Sequence, residues 1–420
     1  MKVRLQLGEP FTIMLRKQFH LTIYREKMEH VRFGIIGLGN MGSAHAAYMN
    51  AVPGAVLAAL CDIDEQKLKK LSDQHDVPAF TSAEKMIDSG TVDAVLIATP
   101  HYAHPPIAKH AFARGIHVLC EKPVAVSVGE ARALNEAFEK VRGKVKFALM
   151  FNQRTDPKYR KMQDLIASGE LGQILRVTWI VTDWLRTWTY YASGGWRATW
   201  AGEGGGVLLN QCPHNLDLLQ WITGLMPSRI TAVATIAKRH PIEVEDDVSA
   251  ILEYPNGAIG HFVTTTGEGP GTNRLEIACD KGLLIAEGSK LLFKRLRGPG
   301  VLEILEKSPQ SFPTVEVWPI EIPVNPVMPH QHQTITENFV AAVLRDEPLI
   351  APGTEGVRGL EIGNAMLMSG LTRTPVDLPM NAPAFESFLK ELIKTYGGKK
   401  TLATPTKAEV VNMAASMSRA

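Results

Sequence analysis

Four cysteines in 420 residues are few, and Cys61, Cys120, Cys212 and Cys279 form no CxxC pair. That spacing argues against structural zinc and against a disulfide scaffold, and it fits a reducing compartment such as the cytoplasm. No apolar run reaches the roughly 20 residues that span a bilayer. Neither sign of charge predominates, with 45 Lys and Arg against 43 Asp and Glu. Nucleic acid and membrane are therefore not expected as partners. Internal repeats and long low-complexity linkers are also missing. What is present is 45% hydrophobic and 7% aromatic content on a chain long enough for two domains or one very large one.

Residues 1–30 are basic and weakly apolar, and they lack the long apolar stretch and small-residue cleavage site of a secretory signal. Met28 lies just before the first convincing strand. We expect this segment to be a disordered lead or an upstream start.

From Val31, short apolar strands alternate with helices: "VRFGIIG", "MGSAHAAYMNA", "AVLAALCD", "DEQKLKKLSDQ", and onward to "KVKFALMF". Thr81 with Glu84 and Ser127 with Glu130 have capping-box spacing. Near-continuous apolar strands between helices predict a parallel sheet covered on both faces, a doubly wound α/β domain over 31–151. After Phe151 the rhythm changes. Long alternating strands and an Asn-Gly turn between "DVSAILEY" and "AIGHFVTTT" predict an α+β domain over 152–380 with a large, mostly antiparallel open sheet. Its late helices are expected to pack back on the first domain. A C-terminal helix and tail fill 381–420.

"GLGNMG" follows the first strand and opens the first helix. Gly37 suits a tight turn, Gly39 a close backbone approach to a pyrophosphate, and Gly42 close helix–strand packing. Asp62 ends the second strand, 20 residues past Gly42. A carboxylate there accepts both ribose hydroxyls of an adenosine and repels a 2′-phosphate, so NAD is expected rather than NADP. "CEKP" ends a buried strand of the same sheet, which directs Glu121 and Lys122 into the cofactor crevice. Partial burial beside a nicotinamide cation would lower the Lys122 pKa. Residues 206–217 read "GVLLNQCPHNLD" behind three glycines, Gly204 to Gly206. Asn210, His214 and Asp217 are spaced to share one helical face, with Pro213 inside the pattern.

These pieces, with "IATPHYAH", "FNQRTDP" and "PGTEGVRGLEIGNAMLMSG", resemble the glucose–fructose oxidoreductase, inositol dehydrogenase and MocA-like family (Gfo/Idh/MocA) over residues 31 to about 380. The resemblance implies nicotinamide-dependent oxidation or reduction of a polyhydroxylated carbon in a homodimer or homotetramer. It implies cofactor contacts at Asn40, Met41, Thr99, His101 and His104. It makes Lys122, Asn210 and His214 the catalytic set, in a helix where the family carries aspartate at the position of Asn210. Asn210 cannot act as a carboxylate. His214 is therefore expected to be the main general acid/base, with a pKa suited to neutral pH, Pro213 distorting the helix where it projects. Lys122 orients the reacting oxygen. Asp217 binds a substrate hydroxyl.

The loop "TDWLRTWTYYASGGWRATWAGEGGG" holds four of the seven tryptophans. Asp183, Trp196 and Arg197 in it are expected at the substrate, with a subunit contact as the alternative. Arg154 is assigned to substrate or to structure. His330 and His332 alone do not make a metal site. Three functions remain open: an NAD-dependent sugar or cyclitol dehydrogenase, a glycoside-cleaving enzyme that uses NAD transiently, and a sugar sensor.

Overall fold

In the computed structural model, which describes residues 29–326 and 330–402, the alternation of the first third becomes one sheet. The lead over residues 1–28 and the tail from residue 403 lie outside the described residues. The elements are β1 (Val31–Ile36), α1 (Asn40–Met49), β2 (Ala55–Cys61), α2 (Glu65–His75), β3 (Ala79–Phe80), α3 (Ala83–Asp88), β4 (Ala94–Ile97), α4 (His104–Ala113), β5 (His117–Cys120), α5 (Val128–Glu139) and β6 (Phe147–Leu149). All six strands run parallel in the order β3-β2-β1-β4-β5-β6. Every residue of β4 is buried, as a strand covered on both faces requires. This is the doubly wound order, with its crevice at the carboxyl ends where β1 meets β4.

Ser127 caps α5 by accepting from the Glu130 amide at 3.2 Å. The expected box at Thr81 is displaced by one residue. Ser82 caps α3, accepting from the Lys85 amide at 3.2 Å and bonding the Glu84 carboxylate at 2.7 Å. α3 begins at Ala83, so only the hydroxyl at 82 reaches its third amide.

The second half contributes α6 (Pro157–Ala167), β7 (Ile174–Val181), α7 (Trp188–Ala192), α8 (Val207–Asn210), α9 (Pro213–Thr223), β8 (Arg229–Ile236), β9 (Glu245–Glu253), β10 (Ile259–Thr265), β11 (Asn273–Cys279), β12 (Gly282–Glu287), β13 (Lys290–Leu296), α10 (Val301–Lys307), β14 (Val317–Glu321), α11 (Gln331–Arg345), α12 (Gly356–Thr372), β15 (Val376–Asp377) and α13 (Ala382–Tyr396). Its nine-stranded sheet runs β14-β13-β12-β11-β7-β10-β9-β8-β15. Every pairing is antiparallel except β7 with β10. The Asn-Gly turn joins β9 to β10 with Gly257 at a φ of +85°. β8 and β9 alternate buried and exposed residues, so one face of the sheet stays open.

α11 returns to the first sheet, where Phe339 meets Phe33 at 5.9 Å between ring centres. α13 lies against α5, since a Cβ at Gly129 would meet Ala382 at 3.3 Å. No described helix is long and apolar enough to cross a membrane. All four cysteines are free and buried.

Candidate active site

The glycine loop between β1 and α1 is built by contacts that forbid side chains. Gly37 has a φ of +90°, and a Cβ there would lie 2.7 Å from the Ala98 carbonyl oxygen. A Cβ at Gly42 would lie 1.7 Å from the Gly37 carbonyl oxygen. Gly39 faces open space, with nothing within 4 Å of its would-be Cβ. α1 starts without a side-chain cap and without an acid in its first turn. An uncapped helix start without an acid suits an anion. Asn40 is exposed there and Met41 partly so. Asp62 accepts from the Leu38 amide at 2.5 Å and the Asp64 amide at 2.8 Å, which ties its carboxylate to the loop. Thr99 Oγ1 is buried nearby without a partner. An open glycine turn, an uncapped helix start, a tethered carboxylate and an orphaned hydroxyl fit a dinucleotide.

Two expected cofactor contacts, His101 and His104, are buried and bonded to main chain. His104 is fully buried, with Nδ1 2.7 Å from the Pro123 carbonyl oxygen and Nε2 2.8 Å from that of Thr99. As the first residue of α4 it points into the fold, and both ring nitrogens are engaged by main chain. His101 is also buried, its Nδ1 3.0 Å from the Glu203 carbonyl oxygen. Burial, with the charges of His104 and Lys122, holds its pKa well below the usual histidine range.

Lys122 follows β5 and reaches across to the second domain, its Nζ donating to the Asn210 carbonyl at 2.6 Å. Burial lowers its pKa, and the neighbouring Glu121 opposes that effect. Glu121 is directed at α1, where His45 Nε2 lies 2.8 Å from Oε1. Burial pushes the Glu121 carboxyl up, but the His45 hydrogen bond and the charges of His45, His332 and Lys122 outweigh that and hold it down at about 2. The chain of bonds continues from His45 Nδ1 to the Tyr48 hydroxyl at 2.6 Å and from there to Thr336 Oγ1 of α11 at 3.0 Å.

The "GVLLNQCPHNLD" stretch is not one bent helix. α8 ends at Asn210, and Pro213 is the first residue of α9, where its missing amide costs nothing. Asn210 and His214 therefore belong to two helices, Asn210 closing α8 and His214 in the first turn of α9. His214 lies beside Phe151, ring centres 6.2 Å apart, with Nδ1 buried and unpaired. Burial and the Lys122 charge push its pKa down to about 3, helped by His332 and opposed by Glu121. The expected value near neutrality is thus corrected. Burial and the nearby Lys122 charge both disfavour a second cation, which keeps the imidazole neutral.

Asp217, expected at the substrate, is paired with Arg154, which takes the structural of its two expected roles. Each side chain is 1% exposed. Arg154 Nε and Nη2 donate to the two Asp217 oxygens at 2.7 and 2.6 Å, and Nη1 donates to Glu355 at 2.6 Å. One helical turn beyond His214, this face of α9 is closed against the segment before α12. Asp183 is exposed past β7, and its charge is felt by Lys158 of α6.

The aromatic loop folds onto the site. The Arg197 guanidinium lies over Trp196 at 4.6 Å and Tyr190 at 5.0 Å. Trp196 meets His101 at 5.7 Å. The Tyr190 hydroxyl accepts from Arg197 and donates to Asn210 Oδ1, both at 3.2 Å. Trp200 is wholly buried and serves the core. His330 is exposed at the start of α11, whereas His332 packs at 5.8 Å from His45.

Two family models match the chain. Residues 31–148 match the oxidoreductase family with an NAD-binding Rossmann fold, and residues 159–285 match the GFO/IDH/MocA C-terminal domain. The rhizopine catabolism protein MocA of Rhizobium meliloti is 30% identical over 239 residues, 56% of this chain and 70% of that protein. The chain belongs to the Gfo/Idh/MocA family. This family member also shares 24% identity over 269 residues with the myo-inositol 2-dehydrogenase of Thermotoga maritima, across 61% of this chain and 75% of that enzyme. The WlbA dehydrogenase from Chromobacterium violaceum, solved with NADH and UDP-GlcNAcA, superposes with a TM-score of 0.71 at 25% identity, covering 84% of this chain and 97% of that one. The protein is accordingly an oxidoreductase whose first domain binds NAD.

Sequence reasoning gave no role to His45, Tyr48, Tyr190 and Glu203, and it weighed His332 only as a metal ligand. His45, three residues past Gly42, and Glu203, inside the glycine run, carried the clearest signal: ionisable groups within motifs that must be buried.

Proposed function

We propose that the protein is an NAD-dependent dehydrogenase of a sugar, cyclitol or sugar derivative. The observation that carries this reading is Lys122 Nζ, held 2.6 Å from the Asn210 carbonyl beyond β5, together with the buried, unpaired Nδ1 of His214, which feels the Lys122 charge. The relatives support the substrate class: one is a myo-inositol 2-dehydrogenase and another binds a nucleotide sugar acid together with NADH.

In this reading the α1 amides and Gly39 take the pyrophosphate, and Asp62 takes the adenosine ribose. With no Arg beside Asp62, NAD is preferred over NADP. Bound NAD supplies the hydride acceptor. The protein aligns a hydroxyl-bearing carbon and manages its proton. Lys122 donates a hydrogen bond to the reacting oxygen. Neutral His214 accepts its proton as negative charge grows there. Arg197, stacked on Trp196, offers a cation to an acidic substituent, and the Trp196 ring offers an aromatic surface to a sugar ring. Asp183 contributes from its exposed position just past β7.

We also propose a homodimer or homotetramer formed through the open sheet face, where Val233 and Ile251 are 51% and 47% exposed on adjacent strands. A cytoplasmic setting is supported by the free cysteines.

The test is one assay with two readouts. Purified protein and NAD are mixed with free sugars, cyclitols, uronates and glycosides. NADH absorbance and aglycone release are followed together. NADH accumulating with a free polyol or sugar supports the dehydrogenase. Aglycone release with flat NADH replaces it by redox-cycling glycoside cleavage.

A further inference from the structure

Asn210 stands where a carboxylate is expected, yet the cleft has not lost its negative charge. Glu203, seven residues earlier in "GEGGG", is 1% exposed. Its Oε1 accepts from Asn210 Nδ2, and its Oε2 accepts from the Ala198 amide at 2.6 Å. Both carboxylate oxygens thus meet donors, the pattern of an ionised acid. Its hydrogen bond also settles the Asn210 amide, because Nδ2 is turned to Glu203 as donor and Oδ1 is left as the acceptor that Tyr190 meets at 3.2 Å. The Asn210 carbonyl meanwhile receives Lys122 Nζ at 2.6 Å.

We propose that Glu203 is a positioning residue that supplies the fixed negative charge of the site, orienting the Asn210 carboxamide and holding the Lys122 ammonium against the same residue. The carboxylate has moved one hydrogen bond back from the cleft. There it can set charge and orientation without touching substrate. Other groups bear on it: Arg197, Lys122 and Lys400 are cations whose charges couple to it, the His101 ring bonds its main chain, and Tyr191 and Glu245 feel its charge. Burial raises the Glu203 pKa, while Arg197, the Ala198 amide, Asn210 and Lys122 oppose that rise. Removing the charge should leave Lys122 less well compensated, since Glu203 favours its protonated form.

The inference deepens the proposed dehydrogenase site and rests on it for the use made of Lys122, but its test does not. The full-length protein is labelled with ¹³C at lysine Cε and titrated by NMR, with the Lys122 signal assigned through Lys122→Met. Glu203→Gln should lower the Lys122 pKa by about one unit, as expected for the loss of a buried charge one residue removed, through Asn210, from the ammonium. The double variant Glu203→Gln/Asn210→Asp moves the carboxylate one bond forward and should restore it. Asn210→Asp alone should raise the Lys122 pKa. NADH fluorescence and thermal unfolding check that each variant is folded. If Glu203→Gln does not fold, the double variant is compared with Asn210→Asp: its Lys122 pKa should be the lower of the two, because it alone lacks the Glu203 charge. An unchanged Lys122 titration in the folded variants overturns the proposal, even if dehydrogenase activity is found. The expected shifts support it even if no substrate is.

Discussion

Arg154 and Asp217 form a bidentate ion pair at 2.7 and 2.6 Å inside the protein, and Arg154 also bonds Glu355 and lies 5.4 Å over Trp221. Removing one partner leaves an uncompensated buried charge. Asp217→Asn should therefore cost about 3–5 kcal/mol of stability. Chemical denaturation with a fixed m-value would register it. A loss below 1 kcal/mol would mean that the pair is not the brace between α9 and the segment before α12.

Lys122→Ala removes the ammonium from the cleft but touches neither the glycine loop nor Asp62. Turnover should fall by roughly 10³-fold, in the range of a lost proton-handling group. NADH binding, read by fluorescence, should stay within a few-fold. Equal losses in both would place Lys122 in cofactor binding alone.

Asp62 is held by the Leu38 amide and has exposed Ile63 beside it. Asp62→Ser with Ile63→Arg should weaken NAD and admit the 2′-phosphate of NADP, through lost repulsion and a gained cation. We expect the ratio of kcat/KM for NAD over NADP to fall by roughly 10²-fold or more. An unchanged ratio would show that the carboxylate does not face the ribose.

Glu245 is buried under the glycine run and accepts from the amides of Gly206 at 2.9 Å and Leu208 at 3.1 Å. Burial pushes its carboxyl up to about 7, despite those hydrogen bonds. The folded state thus holds this proton more tightly than the unfolded chain does. The stabilising contribution is complete below the ordinary glutamate value and is lost as pH rises through about 7. The loss amounts to about 3 kcal/mol at 1.36 kcal/mol per unit. Glu245→Gln should flatten the stability profile between pH 5 and 8, read as Tm against pH. Parallel profiles for the two proteins would remove Glu245 from the account.

Much of the fold was legible in the chain because its signals are local. Strand β4 is a short apolar run, so it had to be covered on both faces. "GLGNMG" constrains a turn through contacts between residues five apart, such as Gly37 and Gly42. Cofactor class and family followed from such short-range patterns. The site was legible only where a motif carried it, as at Lys122.

The rest depended on which buried polar groups meet. Spacing put Asp217 on the face of His214, but Arg154, 63 residues away in sequence, claims it. The same spacing could not show that Pro213 starts a new helix. Nothing in the local pattern joins Glu203 to Asn210 and Lys122, or His45 to Glu121. Such pairings are settled by packing. An ionisable group taken out of water must find a partner, and the partner is whichever group the completed fold brings within reach.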